Sequence, residues 1–151
     1  MFFIHIKWCV VVLLIFIMPL AGAASIDLVV NGTLMRGLAL EKNMTNNQAV
    51  FIREAKTKPI YRMWSINDQY PAMQRVDNNG TWFVVEVWKI PEANLMTLFE
   101  EEPAGLSLGK IVLDDGSVVL GMLGENYITI AQADISKWNG WRAYTASLKA
   151  H

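Results

Sequence analysis

Short apolar runs, each closed by a turn signal, constrain this chain more than any other feature. Ile26 to Val30, Ala49 to Ala55, Ile60 to Ile66, Ala72 to Val76, Thr81 to Ile90, Gly109 to Leu113 and Ser117 to Leu123 read as strands. Lys56-Thr57-Lys58-Pro59 and Asp77-Asn78-Asn79-Gly80 separate successive runs, and Asp114-Asp115-Gly116 has hairpin-turn chemistry. Only two segments read as helices. One begins at Pro91, since proline suits a first helical position and Glu92 suits the positive end of the dipole, and it ends at Glu102 before Pro103. The other closes the chain from Asp134 onward, with Trp138, Trp141 and Tyr144 on one face. These strands with a short central helix and a C-terminal helix predict an α+β domain with a mixed, mostly antiparallel, barrel-like sheet.

The first 24 residues stand apart. Lys7 precedes an unbroken apolar run from Trp8 to Met18, and after Pro19 the residues turn small through Ala21, Gly22, Ala23 and Ala24. These are the three parts of a secretory signal, with cleavage expected after Ala23 or Ala24. The alternative is an uncleaved membrane anchor, because Trp8 to Ala24 approaches the roughly 17 residues that span a bilayer. The expected organisation is a signal peptide at 1–24 and one domain at 25–151, exported to a periplasm or secreted.

Removing the leader narrows the chemistry. Cys9 leaves with it, so a disulfide, a thiolate nucleophile and a cysteine metal site are all excluded for the mature part. His151 is then the only histidine, which excludes a histidine triad or a histidine-ligated metal cluster. Twelve basic and fourteen acidic side chains remain, a net charge of −2 that gives no footprint for nucleic acid. No phosphate-loop glycine pattern occurs. Carboxylates and backbone groups are left to do any chemistry, and no cofactor is expected.

Two features could supply it. In the helix from Pro91, the apolar stripe is Leu95, Leu98 and Phe99, and Glu102 follows them by seven, four and three residues. That spacing turns Glu102 toward the core while Glu100 and Glu101 project away. A partly buried acid at the negative end of a helix dipole should have a raised pKa, as a general acid/base near neutral pH requires. The alternative is a frayed last turn in which Glu102 reaches water. The second feature is Asn31-Gly32-Thr33-Leu34-Met35-Arg36-Gly37, where a strand leaves into a glycine turn. Such a turn can aim successive N–H groups at an anion, with Arg36 adding charge, or can be merely structural. Tyr70, beside Pro71, is a candidate pocket residue, whereas Trp64, Trp82, Trp88, Trp138 and Trp141 read as packing residues.

At these two features the sequence resembles the gamma-glutamylcyclotransferase-like superfamily. That family's strand-to-loop motif is Tyr-Gly-Ser/Thr-Leu, and the segment here is Asn31-Gly32-Thr33-Leu34. Its catalytic glutamate ends a short helix after a Val-Trp strand; here Val87-Trp88-Lys89-Ile90 leads to Glu102 in that place. The closer likeness is to the C-terminal domain of allophanate hydrolase and its stand-alone relatives, over Val30 to Leu40, Tyr70 to Val76, Val85 to Ile90, Pro103 to Gly109 and Gly140 to Tyr144. The resemblance implies an enzyme acting on an amide or carbamate compound. Glu102 would be the catalytic acid/base, and Asn31, Gly32, Thr33, Leu34, Met35, Arg36 and Tyr70 would hold a small-molecule carboxylate or amide ligand. Asn31 stands where the cyclotransferase loop has tyrosine, Pro103 where glycine is usual and Gly109 where a pocket tyrosine is common. A binding domain that keeps the pocket without turnover is the alternative, and a purely structural envelope protein is a third. Both pocket functions require Glu102 and the Gly32 loop to open into one cavity.

Overall fold

The computed structural model describes residues 24–150. The expected signal peptide therefore lies, apart from Ala24, outside the described residues. The elements run β1 (Ser25–Val30), α1 (Glu41–Asn46), β2 (Val50–Lys56), β3 (Tyr61–Ile66), β4 (Tyr70–Arg75), β5 (Val84–Pro91), α2 (Glu92–Glu100), β6 (Leu106–Val112), β7 (Val118–Gly124), α3 (Asn126–Thr129), β8 (Ala133–Asp134), a 3-10 turn (Ser136–Trp138) and α4 (Trp141–Lys149). Among the described residues no helix is long and apolar enough to cross a membrane.

The α+β class stands, with mostly antiparallel pairing, but the sheet does not close into a barrel. It is divided into a five-stranded sheet, β2-β5-β1-β7-β6, and a three-stranded one, β4-β3-β8. Isolated bridges pair Thr57 with Leu113 and Tyr61 with Thr81 outside these ladders. β5 is the longest strand, lies inside the large sheet beside its central strand β1, and has most of its residues buried. It pairs antiparallel with β1 from Ser25 opposite Pro91 to Val30 opposite Glu86, and with β2 on its other side. β1 also runs parallel to β7, Leu28 opposite Leu120. The Asp114-Asp115-Gly116 turn does join β6 and β7 as an antiparallel hairpin. Asp77 to Gly80, by contrast, leads from the small sheet to the large one, because β4 pairs with β3 and not with β5.

Burial along β1 rises from exposed Ser25 to fully buried Leu28, Val29 and Val30, so the strand drives its C-terminal end into the interior. Three consecutive apolar residues suit a strand covered on both faces. Around that end pack Met35, Met44, Tyr61, Met63, Phe83 and Leu98, all nearly or wholly inaccessible. The small sheet lies tight on the large one where β4 crosses β7. A methyl group at Gly124 would sit 2.6 Å from Ala72 Cβ.

The helices depart from expectation at their ends. Pro91 has φ −55° and ψ 131° and still pairs with Ser25, so it closes β5 and α2 starts one residue later. At the far end, Glu101 N–H donates to Leu98 O and Glu102 N–H to Phe99 O at 3.1 Å, a tightened turn that leaves Glu102 outside the helix. Pro103 explains this, because a residue before proline is pushed away from helical geometry. The closing segment is broken likewise: Trp138 belongs to the 3-10 turn, Asn139 takes φ 54°, and only Trp141 and Tyr144 lie in α4. Helix α1 gave no periodic signal, since Met44 is its one buried residue.

Candidate functional site

The buried end of β1 opens into a small cleft. Its lining includes Val30, Asn31, Gly32, Thr33 and Leu34 from the exit of β1, Tyr70 and Pro71 from β4, Glu102 and Leu106 flanking the turn after α2, and Met122 from β7. Glu102 and the Gly32 loop, 70 residues apart in the chain, thus face one cavity. Its volume is about 20 Å³, room for a water or two rather than a large ligand. A wider hollow of about 490 Å³ lies elsewhere, over Met35, Trp82, Trp138 and Arg142. It holds none of the groups expected to do chemistry, apart from the buried side of Met35.

The loop is held by its own backbone and by close packing. Met35 N–H donates to Gly32 O at 3.0 Å, and Leu40 N–H donates to Thr33 O at 2.9 Å. The N–H groups of Gly32, Thr33 and Leu34 find no protein acceptor among the described residues. Successive unpaired N–H groups beside a cavity make a site for a carboxylate or carbonyl oxygen. Gly32 has a steric reason to be glycine: a methyl group there would stand 2.6 Å from Pro71 Cγ. Asn31 is 5% exposed, and its amide donates to Met122 O at 3.0 Å, so it ties the loop to β7.

Glu102 sits opposite under unusual electrostatics. The residue is only half-buried, yet Oε1 is sealed from solvent and has no hydrogen-bond partner. Burial, and secondarily the neighbouring Glu101, pushes its carboxyl from 4.5 up to about 7. Removing water from a carboxylate without supplying donors destabilises the charged form. Beside it Tyr70 is held above the usual phenol range, chiefly by burial and then by Tyr127.

The allophanate hydrolase C-terminal domain model matches residues 26–146. The chain belongs to this family. Its fold is shared by a crystal structure of a uropathogenic E. coli-specific protein, 50% identical, with a TM-score of 0.80 over 82% of this chain and 97% of that one. Allophanate hydrolase of Kluyveromyces lactis is similar at 22% identity and a TM-score of 0.78, over 83% of this chain and 22% of that protein. Urea amidolyase of Saccharomyces cerevisiae is 28% identical over 84% of this chain, which spans only 7% of that much longer protein. The likeness to the allophanate hydrolase C-terminal domain drawn from ordered motifs is therefore sound.

Within this allophanate hydrolase C-terminal domain, the expected site residues divide. Asn31, Gly32, Thr33, Leu34, Tyr70 and Glu102 share the cleft. Met35 and Arg36 turn away from it: Met35 is buried in the core, and the Arg36 guanidinium lies 3.3 Å over the Phe51 ring while pairing with Glu86 at 3.2 Å. A loop that bends through Gly32 cannot point six consecutive residues into one hollow. Val30, Pro71, Leu106 and Met122 complete the lining. Pro71 adjoins Tyr70 in sequence and could have been suspected, but Met122 and Leu106 carry no chemical signal and arrive only through strand pairing.

Proposed function

We propose that this domain is an exported small-molecule enzyme acting on an amide or carbamate compound, with Glu102 as its general acid/base and no cofactor. One observation carries the reading: Glu102, with a sealed and unpartnered carboxylate oxygen, lines the same cleft as the Gly32–Leu34 turn, whose N–H groups have no acceptor among the described residues. The N–H groups of Gly32 to Leu34 hold the ligand's carboxylate or carbonyl oxygen. Glu102, near half-ionised at neutral pH, exchanges a proton with the ligand's nitrogen. In an allophanate-type reaction the C–N bond of an N-carboxy compound breaks, carbon dioxide leaves, and protonated Glu102 supplies the proton that the nitrogen gains. In a cyclotransferase-type reaction, ionised Glu102 removes a proton from the amine, which attacks the carbonyl of a side-chain amide; that amide's C–N bond breaks, and the departing amine takes the proton back from Glu102 as the lactam closes.

Turnover of carbamoylated ureas and gamma-glutamyl dipeptides is the test. Glu102→Gln should lower kcat by about 100-fold or more, and the wild-type rate should change through a midpoint near 7. Unchanged activity in the variant removes Glu102 from the mechanism. The same small cavity also suits a domain that binds a ligand without turnover; binding of biuret by wild type and Glu102→Gln alike, with no product formed, would select that alternative.

A further inference from the structure

β5 carries a second acid that no step above uses. Glu86 is 1% exposed, and its register partner is Val30, the last residue of β1. Its side chain reaches the other end of the substrate loop. Arg36 donates its backbone N–H to Oε2 at 3.0 Å and its Nε–H to Oε1 at 3.2 Å. Trp88 Nε1–H adds a bond to Oε2 at 3.0 Å, and Arg142 Nη2 comes from α4 to Oε1 at 3.2 Å. Both oxygens are thus saturated, in contrast to Glu102.

A buried carboxylate is a poor way to gain stability, since desolvation offsets most of the attraction, and an apolar side chain would serve as well. What charged hydrogen bonds supply is direction. Here the directed object is short: only five residues, Asn31 to Met35, separate Val30, which pairs with Glu86 through the strand ladder, from Arg36, which its carboxylate holds. Arg36 is further fixed by its stacking on Phe51, which lies edge-on to Trp88.

We infer that Glu86 is a positioning residue: its carboxylate fastens Arg36, the far end of a loop whose near end is already fixed by the β1–β5 ladder, and so sets the curvature that aims the Gly32, Thr33 and Leu34 N–H groups into the cleft. This deepens the proposed function and rests on the loop being the ligand cradle. Arg36 accordingly serves the site through Glu86 and not by touching a ligand.

Amide hydrogen exchange on wild type and Glu86→Gln tests it without needing a substrate. The Met35 and Arg36 amides, bonded to Gly32 O and Glu86, should exchange about ten-fold faster in the variant relative to the β6–β7 ladder amides. With a carbamoylated urea as substrate, KM should rise about ten-fold while the pH midpoint of kcat stays where Glu102 puts it. Uniform acceleration across the fold, or an unchanged loop, would overturn the inference, as would an unchanged KM beside a loosened loop. Should wild type turn nothing over, the enzymatic reading fails and exchange alone decides for or against Glu86. If Glu86→Gln does not fold, Arg36→Ala retains the backbone donor and loses the guanidinium; selective loop acceleration of about three-fold supports the inference, and uniform or absent change rejects it.

Discussion

Glu102 should make the protein's stability depend on pH in an unusual direction. Its carboxyl titrates near 4.5 when ordinary and near 7 in the fold. Between those values the folded protein holds a proton that the unfolded chain has released, so stability is greatest below about 4.5 and is lost as pH rises through 7. The full shift corresponds to roughly 3 kcal/mol. Urea denaturation at pH 5 and pH 8 should show wild type weakening over that interval by up to this amount more than Glu102→Gln. Equal slopes would mean that Glu102 titrates as an ordinary surface acid. At Gly32 the constraint is steric: Gly32→Ala drives a methyl group into Pro71, costing about 1–3 kcal/mol. Because the clash lies on the cleft wall, ligand affinity measured by calorimetry should fall together with the thermal midpoint.

At the scale of elements, α2 is the lever that holds Glu102. Leu95 and Leu98 are its buried residues, as the apolar spacing predicts. The same spacing turns position 102 inward even though the helix stops at Glu100. Leu98→Ala should cost about 2–5 kcal/mol, and the loosened last turn should readmit water to Glu102. A carbon-13 titration of the Glu102 carboxyl in that variant is expected to give a midpoint lower than 7, moved toward 4.5. A midpoint still near 7 would assign its burial to the cleft walls instead. The turn beyond is equally restricted: Gly105 has φ +88°, and a methyl group there would meet Ile128 at 2.3 Å. The β6–β7 hairpin was legible because Asp-Asp-Gly chemistry acts locally. Asp77 to Gly80 shows the limit of that logic, since a good turn does not say whether the strands it joins will pair.

For the whole molecule, the proposed export predicts a mature chain beginning at Ala24 or Ser25. N-terminal sequencing of protein recovered from the cell envelope or medium should find that start, and an intact Met1 would favour the anchor. Either cut leaves the fold its first strand, which starts at Ser25 opposite Pro91, and a start at Ala24 also keeps the carbonyl that accepts the Glu92 N–H. Strand runs, the helix at Glu92, the inward acid and the glycine loop could all be found in the sequence, because each is expressed in side-chain spacing over a few residues. The division into two sheets, the parallel pairing of β1 with β7, and the cleft they leave could not. Nor could Glu86, which in sequence is one more acid beside a tryptophan. Pairing between strands far apart in the chain depends on which faces can be buried together. Only that assembly brought Glu102 opposite Gly32, left one carboxylate without donors, and surrounded the other with four.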